Sequence, residues 1–143
     1  MSKSVVLSIR PEWTELIFKG EKTLELRRSR PRQDFPFKVY VYETRGDYPK
    51  HGHGKIIGEF ICRHIKKDIN PSIGIVDVDC EKKSCVPAEQ VIAYARVRKR
   101  NPQLVYWWEI TDLVKYEKPI ELKEVGVKHA PQSWSYCEDK KDV

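Results

Sequence analysis

The apolar positions of the first 28 residues change period twice. Val5, Val6, Leu7 and Ile9 form a short apolar run, the pattern of a buried strand. Trp13, Leu16 and Ile17 then recur at i, i+3 and i+4, which puts them on one helix face. Pro11 suits the first turn of that helix, where its missing N–H costs nothing. Glu12 and Glu15 near the start and Lys19 near the end follow the macrodipole, and Gly20 provides a stop. From Thr23 to Arg27 the period falls to two. Leu24 and Leu26 go to one face, and Thr23, Glu25 and Arg27 to the other. The prediction is strand, helix over residues 11–19, then strand, with Lys22 at the second strand's entrance.

The remainder reads as further strands and one more helix. Two prolines make SRPRQDFPF an irregular connection. Residues 38–43 alternate, with Val39 and Val41 opposite Tyr40 and Tyr42. The tyrosines either pack between strands or offer a base-stacking face. Residues 44–54 are a turn-rich loop carrying His51 and His53. Residues 55–64 read as a long strand, bulged or bent at Gly58. Residues 65–86 are the hardest to read. A short strand fits INPSIGIVDVDC, CEKKSC reads as a polar loop, and the length suggests a lid or insertion. Pro87 opens a helix over roughly 88–98 with Val91, Ile92 and Ala95 on its apolar face, and Asn101-Pro102 ends it. Residues 104–114 alternate strongly. Trp108 falls on the more apolar face, so Trp107 is the more reachable of the two. Ile120 and Leu122 mark a short edge segment after Pro119. Residues 130–137 make a closing strand with Gln132, Ser133 and Trp134 at its mouth.

Composition narrows this picture. The chain of 143 residues fits one domain, with a core over about 4–137 and a charged tail at 138–143. It has no apolar run long enough for a membrane helix. The start MSKSVVLSIR lacks a long apolar stretch with a cleavage site, so a cytoplasmic protein is expected. Lys and Arg number 27 against 21 Asp and Glu, which points to anionic partners, nucleic acid first. Arg27, Arg28, Arg30 and Arg32 form one basic cluster, and Arg96, Arg98, Lys99 and Arg100 a second. They are either solvated loops or a track for a phosphate backbone. Cys62, Cys80, Cys85 and Cys137 show no paired spacing and are expected to be reduced thiols. A metal set drawing on His51, His53 or His64 with Cys80 and Cys85 lacks the tight ligand pairs of zinc sites, so no metal or cofactor is called for.

The polar row Thr23, Glu25, Arg27 is the main chemical candidate. It reads either as a solvated strand face with an i, i+2 ion pair or as a polar site on a rigid scaffold.

The stretch SIRPEW followed by GEKTLELRR resembles the opening motif of the activating-signal-cointegrator homology (ASCH) family, within the PUA-like superfamily. The matching positions are Arg10, Pro11, Gly20, Lys22, Thr23, Glu25 and Arg27. YWWEI, EKPIEL and APQSW resemble later family segments, while 65–86 and the tail are not covered. The resemblance implies an α+β fold: a PUA-like, mostly antiparallel β-barrel of five or six strands with two flanking helices. It implies an RNA- or nucleotide-binding module whose cleft lies between the first helix, the second strand and the closing segment. Lys22 and Arg27 would hold phosphate or carbonyl groups, and Glu25 would accept from an exocyclic amine. Arg10, Thr23, Arg28, Tyr42, Trp107, Gln132, Ser133 and Trp134 are the further ligand-contact candidates. Some relatives are small amidohydrolases of acetylated cytidine that use a lysine, a threonine and a distant glutamate, and others are ribonucleases. Carried over, the lysine is Lys22. The threonine position reads Glu25, a departure that argues against that chemistry, and the glutamate is Glu81 or Glu89. A hydrolase using Lys22 and Glu25 as an acid–base pair is the alternative. A protein-interaction module in transcription regulation is the third reading.

Overall fold

A computed structural model of the chain describes residues 2–46, 51–71, 76–97 and 102–141. The opening follows the sequence pattern. Strand β1 (Ser4–Ile9) is buried throughout, helix α1 (Pro11–Phe18) begins on its proline, and strand β2 is Leu24–Arg27. Gly20 takes φ +81°, a conformation that favours glycine, and turns the chain back toward β2. Strands β3 (Phe37–Glu43), β4 (Lys55–Cys62) and β5 (Ile65–Ile69) follow. Helices α2 (Val78–Ser84) and α3 (Ala88–Arg96) precede strands β6 (Leu104–Glu109) and β7 (Thr111–Ile120). A 3-10 turn (Leu122–Val125) leads to β8 (Trp134–Cys137).

The strands form two sheets, ordered β7-β4-β3-β1-β8 and β2-β6-β5. The expected barrel is therefore corrected to two open sheets in an α+β fold, with β1 and β3 a parallel pair among antiparallel neighbours. Among the described residues the expected two helices become three. Residues CEKKSC, expected as a loop, lie largely in α2, because the Asp77 carboxylate caps the backbone N–H groups of Asp79 and Cys80. The expected 104–114 strand splits at Ile110 into β6 and β7, and Asp112 at φ +49° lies just beyond the break. Gly58 does sit at an irregularity, since the β4–β7 register shifts between Ile56 and Gly58. Among the described residues no helix is long and apolar enough to cross a membrane.

Two core clusters set the position of the site. One joins β1, β3 and β4 to Trp108 and Ile17. The other joins Leu26, Val105 and Trp107 to the apolar faces of α2 and α3. Trp13 of α1 packs against both. The three-stranded sheet is thus covered on both faces. This corrects the reading of Trp107 as the reachable indole: it is 1% exposed, and its Nε1 donates to Asp68 at 2.7 Å.

Candidate nucleotide-binding cleft

A cleft of about 640 Å³ opens where α1, β2, α3 and the segment before β8 meet. Its floor is the polar row of β2. Local geometry explains this. The turn after α1 carries its backbone N–H groups at Glu21 and Lys22 to the Leu16 carbonyl, and Lys22 then points inward beside Glu25. Lys22 is 1% exposed, so its long side chain is entirely inside the protein. Its Nζ donates to the Ser84 carbonyl at 2.6 Å, lies 3.2 Å from Glu25 Oε1 and stands 4.9 Å from the centre of the Trp13 ring. A buried ammonium demands such partners, because desolvating an unpaired charge is prohibitive.

Glu25 is the centre of the row. One oxygen faces Lys22. The other accepts from Arg27 Nη2 at 2.5 Å and Nε at 3.1 Å. Burial alone would push the Glu25 carboxyl up. The charges of Arg27 and Lys22, and the hydrogen bonds they donate, overcome that and hold it below its usual value. Arg27 Nη2 also donates to the Ser8 carbonyl at 2.7 Å, and Nη1 makes a longer bond of 3.3 Å to Ser133 Oγ. The closing segment is fastened above this floor. The Ser8 N–H donates to the Ser133 carbonyl at 2.9 Å, and Ser8 Oγ to the Pro131 carbonyl at 2.7 Å.

One wall is a stacked pair. The Arg28 guanidinium lies 4.2 Å from the centre of the Tyr94 ring, and Nη1 donates to the Tyr94 carbonyl at 3.2 Å. Arg10 and Gln132, both exposed, stand at the rim. Of the residues singled out in the sequence, Arg10, Lys22, Glu25, Arg27, Arg28, Gln132 and Ser133 therefore line one cleft.

Four others do not. Thr23 is exposed, and its backbone N–H pairs with the Lys83 carbonyl outside the cleft. Tyr42 packs against the Val6–Tyr40 cluster on the other side of the five-stranded sheet. Trp107 is buried as described. Trp134 anchors the closing strand by donating to Ser29 Oγ at 2.9 Å while resting on Trp108. Nor do the glutamates carried over from hydrolase relatives line it. Glu81 accepts from the Ala88 N–H at the start of α3, and Glu89 is exposed on α3.

Sequence reasoning missed Trp13, Tyr94 and the carbonyls of Ser8 and Ser84. The i, i+3, i+4 spacing of Trp13, Leu16 and Ile17 marks a shared helix face and carries no sign of the cleft that Trp13 lines. Backbone carbonyls and residues brought in from α3 leave no local signature. Residues 98–100 of the second basic cluster lie outside the described residues.

The chain is similar to solved structures across nearly its whole length. An ASCH protein from Zymomonas mobilis shares 21% identity at a TM-score of 0.70, covering 94% of this chain and 87% of that one. A serine-to-alanine mutant of the same protein gives 20% identity and a TM-score of 0.72, covering 96% and 90%. The N-terminal domain of Staphylothermus marinus McrB gives 17% identity and a TM-score of 0.50, covering 86% and 78%. No curated protein matches the chain. The ASCH domain model matches residues 7–141, which takes in the whole floor, wall and closing segment of the cleft, and the chain therefore belongs to the ASCH domain family.

Proposed function

We propose that the cleft binds a nucleotide, or a single splayed nucleotide of an RNA strand, without catalysing a reaction on it. The observation that carries this reading is the occupancy of Glu25. Both its oxygens are engaged by cations, and its carboxyl is held below the usual range. Such a group is a weak general base at neutral pH, which gives the hydrolase reading less support. Glu25 instead acts as the counter-ion that positions Lys22 and Arg27. Two cations against one carboxylate leave the floor net positive, suited to a phosphate or to carbonyl oxygens.

The rest of the cleft fits the same ligand. Its volume of about 640 Å³ lies within the range of small-molecule pockets. The Arg28–Tyr94 pair offers a flat wall for a base. Arg27 Nη1, whose bond to Ser133 is the longest that this guanidinium makes among the described residues, is the donor most easily turned toward a ligand. Family membership supports the reading, since the ASCH resemblance implies RNA or nucleotide recognition.

Titration of nucleotides and of a short single-stranded RNA tests it. The parent should bind at low salt, and Tyr94→Ala should lose about 1–3 kcal/mol, the worth of one stacked base. An unaltered affinity in Tyr94→Ala removes the stacking wall from the proposal. Absence of binding by the parent to every nucleotide and RNA overturns the proposal as a whole.

A further inference from the structure

The groups that the fold leaves unspent on the cleft floor are donors. Arg27 carries five guanidinium N–H groups and no acceptor. Nε and one Nη2 N–H meet Glu25, the other Nη2 N–H meets the Ser8 carbonyl, and one Nη1 N–H meets Ser133 Oγ. The fifth, also on Nη1, has no protein partner among the described residues. Ser133 Oγ is the acceptor in its bond to Arg27, so its own O–H remains to be donated. The two donor atoms are 3.3 Å apart, and both residues line the cleft. Lys22 adds no donor to them. It is 1% exposed, and its ammonium is given to the Ser84 carbonyl, Glu25 and the Trp13 ring.

The acceptors, in contrast, are engaged. Glu25 is 5% exposed, its Oε2 takes two N–H groups of Arg27, and its Oε1 lies against the Lys22 ammonium. The backbone carbonyls of Ser8, Tyr94, Pro131 and Ser133 border the cleft, and each accepts from a donor of the fold.

This balance selects the ligand atom. A carbonyl oxygen has two lone pairs and is satisfied by one N–H and one O–H. A phosphate group brings roughly two charges and three acceptor oxygens, more than this pair of donors satisfies away from water. An exocyclic amine brings only donors and would set N–H against N–H beside a carboxylate already held by two cations. Trp13, Leu26, Val86 and Tyr94 line the same cleft, so a flat ring finds apolar surface next to the donors.

Resting on the nucleotide reading above, we propose that the cleft takes its nucleotide by a carbonyl on the base, uracil O4 or purine O6, held by Arg27 Nη1 and Ser133 Oγ, with the phosphate toward the open mouth. Keto bases are thereby favoured over cytosine and adenine. Cytosine keeps only its O2 carbonyl, which lies beside the bond to ribose and cannot lead the ring into a cleft.

Calorimetric titration of the full chain at one low salt concentration tests this, with UMP against CMP and IMP against AMP. Each pair keeps the ring size and the phosphate and exchanges a carbonyl for an amine. The parent should bind UMP and IMP about tenfold more tightly than CMP and AMP, the worth of a hydrogen bond from a charged donor. Ribose 5-phosphate should bind more weakly than UMP. Ser133→Ala keeps the backbone carbonyl that accepts from the Ser8 N–H, so the closing segment stays fastened. It should narrow the ratio of UMP to CMP affinity about fivefold, the worth of one neutral hydrogen bond. Equal affinity within each pair, a preference for the amino bases, ribose 5-phosphate binding as tightly as UMP, or a ratio unmoved by Ser133→Ala overturns the carbonyl assignment while nucleotide binding stands. Binding of none of the four nucleotides overturns the nucleotide reading itself, and the carbonyl assignment with it.

Discussion

Lys22, Glu25 and Arg27 show how far a single side chain depends on its neighbours. Removing Glu25 strands two cations, one of them without solvent. Glu25→Gln should therefore destabilise the fold by about 3 kcal/mol, as loss of one partner from a buried ion pair does, and urea unfolding measures it. The pH dependence has a fixed sign. The Glu25 carboxyl titrates lower in the folded chain than in the unfolded one, so its contribution is complete above the ordinary value of 4.5 and is lost as pH falls through the folded value. Unfolding measured between pH 7 and pH 3 should show the parent losing stability below about pH 4.5 and Glu25→Gln losing less. Equal slopes for the two would mean that Glu25 is not held ionised by its neighbours. The pairing of Glu25 with Arg27 was legible from the alternation of β2. The inward turn of Lys22 was not, since its partners, Ser84 and Trp13, come from elements that no local pattern connects.

At the scale of elements, local signals were readable and tertiary ones were not. The β1–α1–β2 opening was recovered because each boundary has its own chemistry: a proline at the helix start and a glycine at positive φ after its end. Helix α2 was missed because the alternation of IVDVDC outweighed a single capping aspartate, Asp77. The two indoles of β6 were ranked on the assumption that one strand face is wet. With cores packed on both faces of the β2-β6-β5 sheet, alternation carries no inside and outside. Gly58 is where element packing can be tested. A Cβ there would meet the Val114 carbonyl at 2.4 Å and the Phe18 ring at 2.6 Å, so the β4–β7 pairing and α1 both have to shift. Gly58→Ala should cost about 1–3 kcal/mol by overpacking, read as a lower Tm. A Tm equal to the parent's would mean that β7 yields without loss.

For the whole molecule, the net charge of +6 suggested a surface that follows a phosphate backbone. Most of the first basic cluster is instead engaged within the fold. Arg27 is tied to Glu25 and Ser8, Arg28 to Tyr94, and Arg30 to the Pro31 and Gln33 carbonyls while lying over Phe35. Arginines already committed to internal partners cannot each release a counterion when nucleic acid arrives. A cleft that holds one nucleotide should therefore show a shallow salt dependence, whereas a strand bound along a basic track should show a steep one. With about 0.7 counterions released per single-strand phosphate contact, one or two contacts give a log–log slope of about −1. Titrating a short single-stranded RNA between low and moderate salt measures that slope directly. Arg27→Ala should then weaken binding. The slope should flatten by about 0.7 if the guanidinium meets phosphate, and stay unchanged with relaxed base preference if it meets a base edge. A parent slope steeper than about −4 would instead require six or more phosphate contacts. The cleft has too few uncommitted cations for that, and the single-nucleotide reading would give way to a strand lying across a wider basic surface.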